Sequence, residues 1–187
     1  MEFIDYGSDG AEHRRWRVFS IGGGELEYED GKVVHAGLPS YPWGSFQEAI
    51  DIAEGLGCPI WALVDRYDQS AAWDHMGEVW RTMRQAVERG ICSTADTLPG
   101  GLRLKRRARS MHQSAIEQGG ADRQLASSYA LAVSEENASG GMIVTAPTCG
   151  ASGVLPALLY YFWKHRDANE EILFKALAVA ALIGATI

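Results

Sequence analysis

Residues 143–162 read IVTAPTCGASGVLPALLYYF. An apolar run reaches Thr145-Ala146-Pro147-Thr148, breaks into Cys149-Gly150-Ala151-Ser152-Gly153, and resumes as a strongly apolar, helical segment near Val154. Pro156 is acceptable there because a first-turn residue has no intrahelical N–H bond to lose. A turn needs the glycines. It does not need the cysteine. A small-residue loop at a helix mouth offers unpaired N–H groups and partial positive charge, which suit a carboxylate or a thiolate. Cys149 is therefore a candidate nucleophile or metal ligand. A tight turn with a buried cysteine explains the same letters, and the residues alone leave both readings open.

Outward from this stretch the pattern is mostly helical. A helix is predicted from about Leu125 to Glu136, ending at Asn137-Ala138-Ser139-Gly140-Gly141. The last helix opens near Asn169 and runs to Ile187. Its sequence, LFKALAVAALIGATI, is apolar on almost every face, which predicts a place at the centre of a bundle. With no C-cap and no basic last turn, it also suggests a chain cut short. Upstream, Ser45-Phe46-Gln47-Glu48 forms a capping box, with Phe46, Ala49, Ile50 and Ala53 on one face and Gly57 as the stop. Trp73, Met76, Trp80, Met83 and Val87 form a core stripe, with Gly90 expected just past the helix end. Ser93 to Gly101 reads as a loop.

The first forty residues read as β. Trp16 to Ile21 alternates, Gly22-Gly23-Gly24 suits a tight bend, and Asp30-Gly31 between Leu26–Glu29 and Lys32–His35 signals a hairpin. The expected fold is a mainly α helical bundle with a short N-terminal β-hairpin portion, α+β overall. The division expected is 1–44 and 45–187.

At 187 residues, 47% of them apolar, the chain can bury one ordinary core. A net charge of -7 argues against nucleic acid or an anionic membrane as partner. The exception is Arg103 to Arg109, five cations in seven residues. These cations suit a solvated face, ion-pair partners for the excess carboxylates, or an anion site. Cys58, Cys92 and Cys149 are too few and too scattered for a disulfide framework. No signal peptide opens the chain, and the apolar run Ala176 to Ile187 is too short to cross a bilayer. A cytoplasmic location is the expectation. Neither G-x-G-x-x-G, H-E-x-x-H, C-x-x-C nor G-x-S-x-G occurs, which leaves nucleotide, zinc and serine-hydrolase readings without support.

Read in order, the blocks VFSIGGGELEYEDG, YPWGSFQEAIDIAE, LPGGLRLKRRA, LAVSEENASGGMIVTAPTCGASGVLPALLYYF and ILFKALAVAALIGATI resemble the bacterial iron–sulfur L-serine dehydratases. The resemblance implies conversion of L-serine to pyruvate and ammonia without pyridoxal phosphate, in amino-acid catabolism and gluconeogenesis. It implies a [4Fe–4S] cluster held by three cysteines, with one open iron acting as Lewis acid on the substrate. It also implies a homodimer for the full-length enzyme. Residues 1–44 would be the tail of the family's β domain with a linker, and 45–187 the first half of its helical α domain.

Two departures matter. The family's Ser-Ser-Ser-His-Thr motif is missing, and so is the Asn-, Ser-, Gly- and Cys-rich segment that supplies two further ligands. In many relatives the motif reads Pro-Thr-Asn-Gly-Ala-Cys-Gly, so Ser152 stands where the cluster cysteine is expected. Either Cys149 ligates from three residues earlier, or the first ligand is lost. The resemblance makes Asn137, Thr145 and Thr148 candidates for binding the substrate's polar groups, although such residues also cap helix ends. Arg106 and Arg107 are candidates for a substrate carboxylate or for surface ion pairs, and Glu135 and Glu136 for anchoring. The general base is unassigned. The chain is expected to be inactive alone, and to dimerise or be poorly soluble through its last helix. Two other readings stay open. One is a helical, α-subunit-like assembly module needing a separate partner chain, and the other is a metal-free thiol enzyme using Cys149.

Overall fold

The computed structural model describes residues 1–22, 25–34, 41–68, 70–120, 122–145 and 149–186. They fall into two compact units, Met1–Ser40 and Tyr41–Ile187. The architecture is mainly α with a short β portion, as the patterning predicts.

The first unit is an antiparallel sheet of β1 (Glu2–Tyr6), β2 (Glu12–Gly22), β3 (Glu25–Tyr28) and β4 (Val33–Val34), in that order. The alternation in β2 works as read, with Val18 buried and Trp16 half-buried between exposed Arg15, Arg17 and Phe19. At Asp30-Gly31 the chain turns as expected. Gly31 takes φ 80°, its N–H donates to the Tyr28 carbonyl at 2.8 Å, and Tyr28 N–H donates to the Lys32 carbonyl at 2.9 Å. Of the glycine run, Gly22 pairs with Glu25 across the β2–β3 connection. Gly23 and Gly24 lie outside the described residues. The acidic start of the chain forms β1, which is held to β2 partly through Glu2, paired with Arg17 at 3.1 Å and Arg15 at 3.3 Å.

The second unit is helical: α1 (Phe46–Gly55), a 3-10 turn (Ile60–Ala62), α2 (Leu63–Tyr67), α3 (Ser70–Cys92), α4 (Ala108–Glu117), α5 (Asp122–Ala138), α6 (Val154–His165) and α7 (Glu170–Gly184). The capping box at α1 forms as read. Ser45 Oγ accepts from Glu48 N–H at 3.3 Å, and Gly57 closes the end at φ 65°. Ala49 and Ala53 face the core. Met76, Trp80, Met83 and Val87 of α3 are buried as a stripe.

Gly90 does not end α3. It lies inside the helix because α3 and α5 touch there: a Cβ at Gly90 would collide with the Ala132 carbonyl. Gly153, at the mouth of α6, meets the Ala130 carbonyl of α5 in the same way. Both glycines are contact residues. Helix α5 thus becomes the central element, packed by α3, α4 and α6. Its Tyr129 is buried, and the hydroxyl lies 2.8 Å from His165 Nε2. Burial, then Tyr160 and Tyr161, pushes that phenol up to about 12, so it stays protonated.

α4 has no counterpart among the predicted helices. α7 opens after Asn169 as expected, with Asn169 Oδ1 accepting from Ile172 N–H at 3.0 Å, and ends at Gly184, short of the expected Ile187. It buries Leu173, Leu177, Ala178 and Leu182 but leaves Ile172 and Ile183 exposed, so it packs by one face here rather than by all of them. Among the described residues, no helix is long and apolar enough to cross a membrane.

Candidate active-site region at the end of α5

Two adjacent carboxylates, Glu135 and Glu136, close the last turns of α5, and both are buried. Burying two charges is costly unless each is paired and hydrogen-bonded. The chain meets that requirement from three directions. Glu135 Oε1 accepts from the backbone N–H groups of Arg107 at 2.6 Å and Ala108 at 3.0 Å. Its Oε2 accepts from Arg106 Nε at 3.3 Å. Arg106 Nη1 continues to Ser139 Oγ at 3.0 Å, and Arg106 Nη2 lies 3.6 Å from Glu136 Oε1. Glu136 Oε2 accepts from Arg89 Nε of α3 at 2.8 Å, and Arg89 Nη2 donates to the Met142 carbonyl at 2.7 Å.

The result is an alternating chain, Arg89–Glu136–Arg106–Glu135, that ends on the N-terminus of α4. It joins α3, α4, α5 and the segment after α5 into one polar network. Within the Arg103–Arg109 run, Arg106 is turned inward, its side chain only 9% exposed. Arg107 contributes its backbone N–H, while its neighbour Ala108 is fully buried. The sequence does not reveal Arg89 as a member, because its partner lies 47 residues away.

The loop from Cys149 to Gly153 is docked on α5 through Gly153. Cys149 is exposed, whereas Ser152 is buried, and Ser152 Oγ donates to the Cys149 carbonyl at 2.8 Å. The hydroxyl closes the turn and the thiol faces outward. Asn137 sits exposed in the last turn of α5, where its carbonyl accepts from Gly140 N–H at 3.1 Å. Thr145 is exposed as well. Thr148 lies outside the described residues. No hydrogen bond joins Asn137, Thr145 and Cys149 among the described residues; the structure connects Cys149 directly with Ser152.

Nor do the three cysteines gather. Cys58 is half-buried after α1, Cys92 ends α3, and no group of three metal-binding side chains occurs among the described residues. One exposed thiol is not a complete ligand set for an iron–sulfur cluster, which is ordinarily held by several thiolates.

Fold and site define a helical domain that presents a cysteine-bearing, small-residue loop against a central helix ending in paired, buried carboxylates. The chain belongs to the serine dehydratase alpha chain family, whose pattern residues 14–187 match. It is similar to the L-serine dehydratase of Streptomyces coelicolor, 34% identical over 98% of this chain and 43% of that protein. The L-serine dehydratase of Haemophilus influenzae is 40% identical over 91% of this chain and 40% of its own length. L-serine dehydratase 2 of Escherichia coli is 35% identical over 89% of this chain and 40% of its own. The chain therefore spans about two fifths of the length of these relatives.

Proposed function

We propose that this chain serves the dehydration of L-serine to pyruvate and ammonia, as part of an iron–sulfur L-serine ammonia-lyase. The observation that carries this reading is the family match over residues 14–187, with relatives named for that activity aligned along most of the chain. In the reaction, serine loses its Cα proton and β-hydroxide as water. The resulting enamine tautomerises to the imine and hydrolyses, taking up water and releasing ammonia.

On this reading residues 1–44 are the tail of a β domain and 45–187 the first half of a helical α domain. The enzyme is cytoplasmic, homodimeric when entire, independent of pyridoxal phosphate, and feeds amino-acid catabolism and gluconeogenesis. Cys149 contributes one thiolate to a [4Fe–4S] cluster whose other ligands are not among the described residues. Its exposure supports that role, and the tie between Ser152 and the Cys149 carbonyl supports leaving Ser152 out of the ligand set. Asn137, Thr145 and Thr148 bind the substrate's polar groups. The Arg89–Glu136–Arg106–Glu135 network holds the first part of the segment that carries them, through Glu136, Ser139 and Met142.

The test is a chimera in which residues 14–187 replace the matching part of E. coli L-serine dehydratase 2, reconstituted anaerobically. Serine-dependent pyruvate formation is expected, with cluster absorbance lost in Cys149→Ala and kept in Ser152→Ala. A chimera that holds its cluster but forms no pyruvate overturns the reading. Activity that persists without iron and is blocked by iodoacetamide at Cys149 would instead identify a thiol enzyme.

A further inference from the structure

We propose that the aromatic pocket between the 3-10 turn, α3 and α7 binds a small quaternary ammonium cation, with Lys175 as the built-in ammonium that it displaces. The open pocket measures about 460 Å³ and is lined by Trp61, Asp65, Trp73, Glu171, Phe174 and Lys175. Trp61 and Trp73 meet edge to face, with ring centroids 6.3 Å apart and planes at 69°, and so form two walls of a corner. Trp73 Nε1–H donates to Asp65 Oδ1, which ties the indole of α3 to α2. Phe174 of α7 is seated against Gly77 of α3, where an added Cβ would lie 3.7 Å from its ring.

The pocket already holds an ammonium group. Lys175 Nζ lies 4.5 Å from the Trp61 ring centroid, well inside the roughly 6 Å over which a cation is drawn to the negative face of an indole. The same Nζ pairs with Glu171, one helical turn earlier, and holds that carboxyl below the usual carboxylate range. With Asp65 the lining carries two carboxylates against one lysine, an excess of negative charge beside two indole rings. An anion would meet ring faces and carboxylates, both of which repel it. A cation meets attraction from each.

Lys175 holds the place loosely. Its side chain is 33% exposed and that of Glu171 71%, so solvent screens the pair and it contributes little. An ε-ammonium is also a compact, strongly hydrated charge that loses water when it lies on a ring. A quaternary ammonium has no N–H groups to satisfy, sheds its hydration more easily, and packs its methyl groups on the ring faces. It therefore gains more than lysine does from the same walls, which is the chemistry that aromatic cages recognise. The pocket shares no residue with the Arg89–Glu136–Arg106–Glu135 network, and its negative charge disfavours a ligand that bears a carboxylate.

The experiment titrates the purified chain with choline, with glycine betaine, and with the neutral analogue of choline that carries a tert-butyl group in place of trimethylammonium. Calorimetry gives the affinities, and the indole N–H resonances in NMR place the ligand. Choline is expected to bind and to move the Trp61 and Trp73 signals, with betaine and the neutral analogue each weaker by about fivefold or more. Lys175→Met should tighten choline binding by about threefold or more, because the competing ammonium is gone. Trp61→Leu should weaken it by about fivefold or more while circular dichroism stays unchanged. Equal binding of choline and its neutral analogue overturns the proposal, as does choline binding that is no tighter in Lys175→Met. Lys175 lies outside the buried core, so that second measurement stands even where Trp61→Leu does not fold.

Discussion

Helices α1 and α4 are both ten residues long, and each must satisfy the unpaired N–H groups of its first turn. α1 does so within its own neighbourhood. Ser45 Oγ accepts from Glu48 N–H, and Glu48 Oε2 reaches back to Gly44 N–H at 2.8 Å. α4 has no such help. Arg107 stands at its cap position without a side-chain bond, and the acceptor is Glu135, 27 residues beyond Ala108. The same physical need is met once by sequence neighbours and once by tertiary contact. The first helix carries its own cap, whereas the second borrows its cap from α5.

The contrast can be broken most severely at Glu135. Glu135→Ala removes the distant cap and leaves the buried Arg106 with only its longer contact to Glu136 and its bond to Ser139, which should cost about 3–5 kcal/mol. Urea unfolding would measure the loss, and hydrogen exchange should show α4 opening before α1. If Glu135→Ala costs no more than losing the local cap, the distinction between the two helices fails. Gly90→Ala comes next, since a methyl group must push against the Ala132 carbonyl; overpacking of this kind costs about 1–3 kcal/mol. Ser45→Ala, the local counterpart, should cost about 1 kcal/mol and leave α4 protection untouched.

The smallest expected effect is a pH dependence on α4. Burial, reinforced by nearby His165, holds His112 below its ordinary value of 6.5, so the folded chain disfavours the charged ring. Near and below that ordinary value the unfolded chain binds more protons. His112 therefore detracts least above pH 6.5, and stability falls as pH drops toward its folded pKa. Unfolding free energies at pH 8 and 5.5 should differ less in His112→Gln than in the parent, and an equal difference would refute the effect.

What was legible in the sequence follows the same division. The Asp30-Gly31 turn, the Ser45 and Asn169 caps, the Met76–Val87 stripe and the tolerance of α6 for Pro156 all depend on residues within a few positions of each other. Each formed where the pattern placed it. α4 was invisible because its cap lies on another helix. Gly90 was misread because a glycine looks the same whether it ends a helix or lets two helices touch. The Arg103–Arg109 run was legible as ion-pair partners for the excess carboxylates, and Arg106 is one, but nothing in the run shows that its partners are Glu135 and Glu136 or that the pairing is buried. The candidate site is legible in part: the Cys149 loop stands out by composition. The polar network at the end of α5 joins residues 28 to 47 positions apart and depends on folding to assemble.

The two glycine contacts on α5 carry a consequence beyond packing. A helix lying against its neighbours can roll about its own axis with little penalty when the interface is made of adaptable side chains. α5 has lost that freedom, because Gly90 and Gly153 seat other backbones directly on the carbonyls of Ala132 and Ala130. With each residue advancing by about 100° around the axis, fixing the phase at 130 and 132 also fixes the compass bearing of 135 and 136 a turn later. The glycines of α3 and α6 thus set the aim of carboxylates they never touch.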